Sequence, residues 1–221
     1  THGDTIPLTE AAAWMCAEER GVDTISPIMD AVAALSDPLY IPEGTPVIEA
    51  VARLNHHLFE TLAFRGDQDT YGHPDNSLLD SVLSNRKGIP ITLSLVTMAV
   101  AESVGIKMHG IGFPTHFLVS PAASLPRFFV DPFYQGRVLT ADHLEPWFAR
   151  ISSQTGGRMP PLTWWLKPVS ARQILVRMNN NLQAAYLSQQ DLAGALRCVE
   201  RLLVLTPEAI EVRRDRGLLR I

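Results

Sequence analysis

His116 and Asp131 are the residues whose types and spacing most readily do chemistry in this chain. Each sits in a short run rich in valine and phenylalanine, His116–Val119 and Arg127–Asp131, and the two runs read as adjacent strands separated by a turn. A histidine and a carboxylate on neighbouring strands pair across a sheet. The carboxylate then fixes the imidazole tautomer, and the free ring nitrogen serves as base to a nucleophile. Hydroxyls that could attack include Thr92, and Ser94 one turn after Pro90 on the same helix face. Ser77 is a further candidate. Mid-helix serines and threonines usually bond back to a carbonyl and stay inert. The His116–Asp131 pair therefore has two readings from the residues alone: a structural pair that stabilises the fold, or part of a hydrolase or acyltransferase of amides or esters with Ser94 or Thr92 as nucleophile.

The other histidines do not converge in the sequence. His56 and His57 are adjacent and point to different sides of a helix; His73 falls in a polar loop, His109 at a strand start and His143 near a helix cap. With no HExxH, no CxxC and no acidic cluster, neither a metal nor a cofactor is expected. Gly110-x-Gly112 is a strand pair with no helix after it, not a dinucleotide loop. Arg213, Arg214, Arg216 and Arg220 read as the solvated face of a helix, and Trp164-Trp165 as packing between the C-terminal hairpin and the rest.

The elements that must position these residues are mostly helical. Thr9 caps a helix over Glu10–Arg20 closed by Gly21, and Ser26-Pro27 starts another. After Thr45-Pro46, Val47, Val51, Leu54, Leu58 and Leu62 step by four, three, four and four, one apolar stripe of a helix running to about Ala63. Residues 64–76 are a polar loop; Asn76 or Ser77 then caps a short helix ending at Arg86-Lys87-Gly88. The helix from Pro90 to Gly105 is apolar almost all round, which marks a buried, central helix. Short runs at Met108–Phe113, His116–Val119, Arg127–Asp131 and Arg137–Leu139 predict a small antiparallel sheet. Asp142 caps a helix over His143–Arg150, and residues 152–161 read as a linker.

Composition sets the outer limits. The 221 residues are 46% hydrophobic and 19% charged, enough to bury a sizeable core. Nineteen basic against twenty-three acidic residues give a net charge of −4, which argues against a nucleic-acid binder. Residues 1–165 carry 10 basic and 18 acidic side chains, residues 166–221 carry 9 and 5, which suggests two units with different surfaces. Cys16 and Cys198 form no disulfide framework and fit a reducing, cytoplasmic setting. No apolar run reaches the roughly 18 residues of a membrane span, so no membrane is expected as a partner. Thr1-His2-Gly3-Asp4 is neither a signal peptide nor an initiator, and reads as a chain that has lost its first residues.

From Ser170 onward the chain is helical again. Leu182, Tyr186, Ala195, Val199, Leu202 and Pro207 have the spacing of one tetratricopeptide (TPR) repeat. A second repeat begins near Ala209, with Arg216-Gly217-Leu218 in its first helix. One repeat cannot bury its apolar face alone, so it either packs on the first unit or is continued by more chain.

These pieces together resemble a known family. Phe64-Arg65-Gly66-Asp67, Tyr71, Asn76-Ser77, Val82-Leu83, Arg86-Lys87-Gly88-Ile89-Pro90, Gly105, Pro114-Thr115-His116-Phe117 and Asp131-Pro132-Phe133 are similar to the transglutaminase-like core of the bacterial SirB family, in which TPR repeats follow the core. Arg213–Leu218 also looks familial. The resemblance implies an α+β core related to papain-like thiol enzymes, with a helix packed on an antiparallel sheet. Active relatives carry a cysteine at the start of the central helix in a Gly-x-Cys setting, where the helix N-terminus lowers the thiol pKa. Matching Gly88 puts Pro90 at that place, while His116 and Asp131 match the family's histidine and aspartate.

The sequence therefore predicts an α+β fold: a helical N-terminal segment (1–63), a transglutaminase-like core with a buried central helix on a small antiparallel sheet (64–151), and a C-terminal helical TPR hairpin (162–221). The expected function is a non-catalytic protein-interaction or regulatory module. A protein or peptide partner would be bound through the hairpin, with Asn180, Asn181 and Tyr186 as groove side chains.

Overall fold

In the computed structural model the described residues are 6–124 and 127–219. The start at Thr1-His2-Gly3-Asp4 and the last arginine, Arg220, lie outside them. Two N-terminal helices, α1 (Leu8–Arg20) and α2 (Ile25–Ser36), lead into α3 (Val47–Asn55). Helix α1 starts one residue before Thr9, whose side chain caps nothing; Gly21 closes it in the left-handed region at φ 67°.

The stripe that begins at Val47 continues as expected, but not as one α-helix. Residues His56–Thr61 widen into a π turn, with Leu62 N–H donating to His57 O. The wide turn lets three consecutive side chains, His57, Leu58 and Phe59, all be buried. His57 Nε2 there meets Leu35 O at 2.7 Å.

A two-residue parallel pair follows, β1 (Arg65–Gly66) with β2 (Lys87–Gly88), enclosing α4 (Leu79–Asn85). Neither Asn76 nor Ser77 caps α4. Leu78 holds that position, and the Leu79 N–H is met by Cys16 Sγ from α1 at 3.2 Å. Helix α5 (Pro90–Ser103) is the central helix: eleven of its fourteen residues are buried. Proline suits its first turn, where an N–H would have no partner in the helix.

Strands β3 (Met108–Ile111), β4 (Leu118–Pro121), β5 (Phe129–Asp131) and β6 (Arg137–Leu139) form an antiparallel meander in that order. Side chains alternate across it. Val119 and Val130 join the core built on α5, while Ile111, Leu118, Phe129 and Leu139 face the second layer, packed by Leu144 of α6 (Ala141–Gln154) and by Leu166. Thr140, not Asp142, precedes α6, and His143 Nδ1 accepts from its backbone N–H. The expected linker is shorter than its composition suggests, since α6 runs through Pro146 to Gln154. In α7 (Leu162–Trp165) Trp164 is exposed and Trp165 half-buried; Leu162 and Leu166 pack into the layer between the sheet and α6, and the hairpin is held to the rest by the apolar face of its own first helix rather than by the tryptophans.

Helices α8 (Ala171–Ser188) and α9 (Leu192–Leu205) form the hairpin, and α10 (Ile210–Leu219) follows. Its apolar face is buried at home: Ile174, Leu175, Met178 and Leu182 of α8 belong to the same core as α1, α2 and α5. The fold is mixed α+β with a helical C-terminus, as the sequence predicts. Among the described residues no helix is long and apolar enough to cross a membrane.

Candidate functional site

Phe113 to His116 form a tight turn, with the His116 N–H donating to Phe113 O at 3.1 Å. Thr115 takes the left-handed region at φ 60°, an uncommon conformation for a branched residue. The turn is held from α8, 61 residues beyond His116. Arg177 of α8 donates to Phe113 O at 3.2 Å and to His116 O at 2.8 Å. His116 therefore lies in the bend leading into β4 rather than in the strand itself.

Asp131 ends β5 and has no solvent exposure. His116 Nε2 lies 2.8 Å from its Oδ1. That carboxylate oxygen also faces the Tyr134 N–H at 3.4 Å, and Oδ2 faces Arg137 Nη2 at 3.4 Å. A carboxylate on Nε2 leaves Nδ1 as the basic nitrogen, and no hydrogen-bond partner meets Nδ1 among the described residues. Around the imidazole stand Trp147 at 4.9 Å, Phe133 edge-on at 5.9 Å and Tyr134 stacked at 6.0 Å between ring centroids.

The turn after Asp131 depends on glycine. Gly136 has φ 72°, and a Cβ there would stand 2.6 Å from the Phe59 ring and 2.7 Å from Asn55 Cγ. Gly66 likewise leaves room for the Phe133 ring, 2.6 Å from where its Cβ would be. The loop after Gly66 is tied by Asp67, which accepts from the Thr70 hydroxyl at 2.5 Å, the Thr70 N–H and Asn76 Nδ2. The Thr70 hydroxyl leads these bonds in holding the Asp67 carboxyl down at about 2. Tyr71 from this loop meets Phe133 at 5.9 Å.

The hydroxyls on α5 are placed differently. Thr92 is fully buried; its Oγ1 accepts from Ile89 N–H at 3.2 Å and donates to Asn76 O at 2.8 Å. It tethers the start of α5 to the loop. Ser94 is also fully buried, and its Oγ has no hydrogen-bond partner. Ser77 is 3% exposed. Pro90 occupies the first turn of α5 and is buried. Both thiols are remote and buried: desolvation pushes Cys16 up to about 12 and Cys198 to about 11.

In the hairpin, Asn180 is exposed and Asn181 half-buried. Tyr186 is turned inward and its hydroxyl donates to Glu19 of α1 at 2.7 Å. Asn179, which the sequence did not single out, is buried and bonds Cys198 O and Arg201. His56 pairs with Glu60, away from the buried His57, and among the described residues no three His, Cys, Asp or Glu side chains gather as a metal set. Sequence reasoning missed Arg137, Trp147 and Arg177. Only the position of Arg137, six residues after Asp131, gave a local signal.

A buried helix, a small antiparallel sheet and a His–Asp pair at the sheet's end are the parts that the family resemblance implies for a transglutaminase-like core. The family profile described as the transglutaminase-like superfamily matches residues 23–180, and the tetratricopeptide repeat profile matches residues 182–221. A UPF0162 protein of Xylella fastidiosa (strain 9a5c) is 38% identical over 171 residues, 76% of this chain and 60% of the relative. The UPF0162 protein of Pseudomonas aeruginosa is 30% identical over 208 residues, 90% of this chain and 72% of the relative. The F-box only protein 21 of Mus musculus is 30% identical over 140 residues, 59% of this chain but 22% of that protein. No solved structure matches. The chain belongs to the SirB-type (UPF0162) family of the transglutaminase-like superfamily, with a TPR repeat after the core. It spans about 60% of the length of the Xylella relative.

Proposed function

We propose that the protein is a non-catalytic transglutaminase-like and TPR protein working as a protein-interaction or regulatory module. The observation that carries this reading is the start of α5. Pro90 stands at the position where the family resemblance places a nucleophile, and the two hydroxyls behind it, Thr92 and Ser94, are both at 0% exposure. The His116–Asp131 pair then has a base without a residue to activate. The TPR match and the outward-facing Asn180 support recognition by the hairpin.

The test uses the intact chain. A photo-crosslinking residue is placed at Asn180, Asn181 or Val204, all on the hairpin, and as a control at the exposed Tyr40. One reproducible crosslinked protein from the hairpin positions and none from Tyr40 supports the reading. Absence of any crosslink from the three overturns the interaction half. Turnover of an amide or ester that vanishes in His116→Ala overturns the non-catalytic half, and its further loss in Ser94→Ala or Thr92→Ala would establish the rival hydrolase.

A further inference from the structure

A second site stands directly beyond the His116 aromatic wall. Strand β6 puts Arg137 and Leu139 on one face, two residues apart. Helix α6 puts His143, Trp147 and Arg150 at i, i+4 and i+7, within one narrow stripe. These five residues and Tyr134 line a cavity of about 570 Å³. Ligand pockets run from roughly 300 to 1,000 Å³.

The charges in this cavity are of one sign. Arg150 has no hydrogen bond or ion pair to its side chain among the described residues. Arg137 spends only a 3.4 Å contact on Asp131, lies over the Tyr134 ring at 5.1 Å, and keeps about half of its side chain exposed. His143 Nδ1 accepts from Thr140, which leaves Nε2 as a donor. The acids of α6, Asp142 and Glu145, fall off the stripe at about 100° per residue and do not line the cavity. Two guanidiniums and an imidazole donor thus converge with no lining carboxylate to neutralise them. The remaining walls are flat or apolar: Tyr134, Trp147 and Leu139. Guanidinium forks match the paired oxygens of phosphate and carboxylate, and aromatic walls take a planar body.

We propose that this cavity binds a small organic anion, a phosphate or carboxylate carried on a flat ring. The anionic group meets Arg150, Arg137 and His143 Nε2, and the ring lies along Trp147 and Tyr134. Trp147 also touches His116, so the bound molecule sits one ring away from the His116–Asp131 pair. The site holds whether or not the protein turns anything over.

The test is a titration of the isotope-labelled intact protein followed by NMR. The Trp147 indole N–H signal is assigned by its loss in Trp147→Phe. Phenyl phosphate and benzoate are the probes, with inorganic phosphate and potassium chloride at matched ionic strength as controls. The expected result is a saturable shift of the Trp147 signal with at least one of the two ring-bearing probes, and the tighter one names the anionic group. Arg150→Gln, on an exposed side chain that holds nothing in the fold, weakens that binding at least tenfold. Equal binding by inorganic phosphate removes the flat-ring part of the proposal. A shift that chloride reproduces, or one that Arg150→Gln leaves unchanged, overturns it altogether.

Discussion

The Tyr186 hydroxyl donates a 2.7 Å hydrogen bond to Glu19 Oε2, joining α8 to α1 across 167 residues of chain. Arg197 reaches the same oxygen at 2.7 Å, and Arg201 meets Oε1. The Glu19 side chain is 1% exposed, so its charge is balanced entirely by the hairpin. Burial pushes the Glu19 carboxyl up, but the bonds from Arg197, Tyr186 and Arg201 together outweigh it and hold it below its ordinary 4.5.

That balance makes Glu19 a determinant of stability with a defined pH dependence. Glu19→Ala removes the acceptor that Arg197, Arg201 and Tyr186 share, while Arg201 keeps Glu18 and Asn179 and Arg197 reaches solvent; losing charged hydrogen bonds of this kind costs about 1–3 kcal/mol. A carboxyl lowered in the folded state contributes fully above its unfolded value and loses that contribution as pH falls through the folded value. The stability gap between the native protein and Glu19→Gln is therefore expected to be constant near neutrality and to narrow below about pH 4.5. Urea unfolding of both proteins from pH 7 to pH 3.5 reads it. A gap independent of pH would remove the charge from the explanation.

His116→Ala should lower the melting temperature. A buried, charge-assisted hydrogen bond is worth about 1.5–3 kcal/mol, and the variant leaves Asp131, with no exposure, only its two long contacts, to the Tyr134 N–H and to Arg137. The Tyr134 N–H, at 3.4 Å, stays with Asp131 in the variant and does not replace the 2.8 Å bond from His116. Thermal unfolding at neutral pH measures the loss. An unchanged melting temperature would mean that the pair holds nothing together.

The two cysteines should be silent in the native state. Desolvation raises both thiols far above the pH of a labelling reaction, and the thiolate is the reactive form. A thiol-reactive chromophore at pH 8 is expected to label neither Cys16 nor Cys198 within minutes, and both in denaturant. Rapid native labelling of either would contradict the packing of α1 on α4 or of α8 on α9.

Much of this arrangement was legible in the residues. An all-apolar run opening at proline could only be a buried helix, and α5 is one. The strand Arg137–Leu139 followed from its residues; His116 does meet Asp131, but from the bend before β4 rather than from the strand that spacing predicts. What stayed hidden was set by distant partners. The Thr115–His116 turn is held by Arg177, 61 residues downstream of His116. Tyr186 has TPR spacing whether it faces a groove or, as here, Glu19. The π turn at His56–Thr61 answers to the burial of His57 against Leu35. None of these leaves a periodic or capping signal in its own segment.

Thr92 and Ser94 give opposite expectations from two hydroxyls one half-turn apart on α5. Thr92→Val strands the Ile89 N–H and the Asn76 carbonyl in a fully buried site, and each unpaired buried group costs about 1–3 kcal/mol. The variant should be destabilised by about that amount and should loosen the Asp67–Asn76 loop. Ser94 Oγ already lacks a partner, so Ser94→Ala removes a desolvated hydroxyl and leaves no donor behind. It should be neutral to stabilising, by up to about 1 kcal/mol. Denaturant unfolding of both variants decides the matter. A Ser94→Ala protein that unfolds as early as Thr92→Val would show that Ser94 Oγ is bonded in solution.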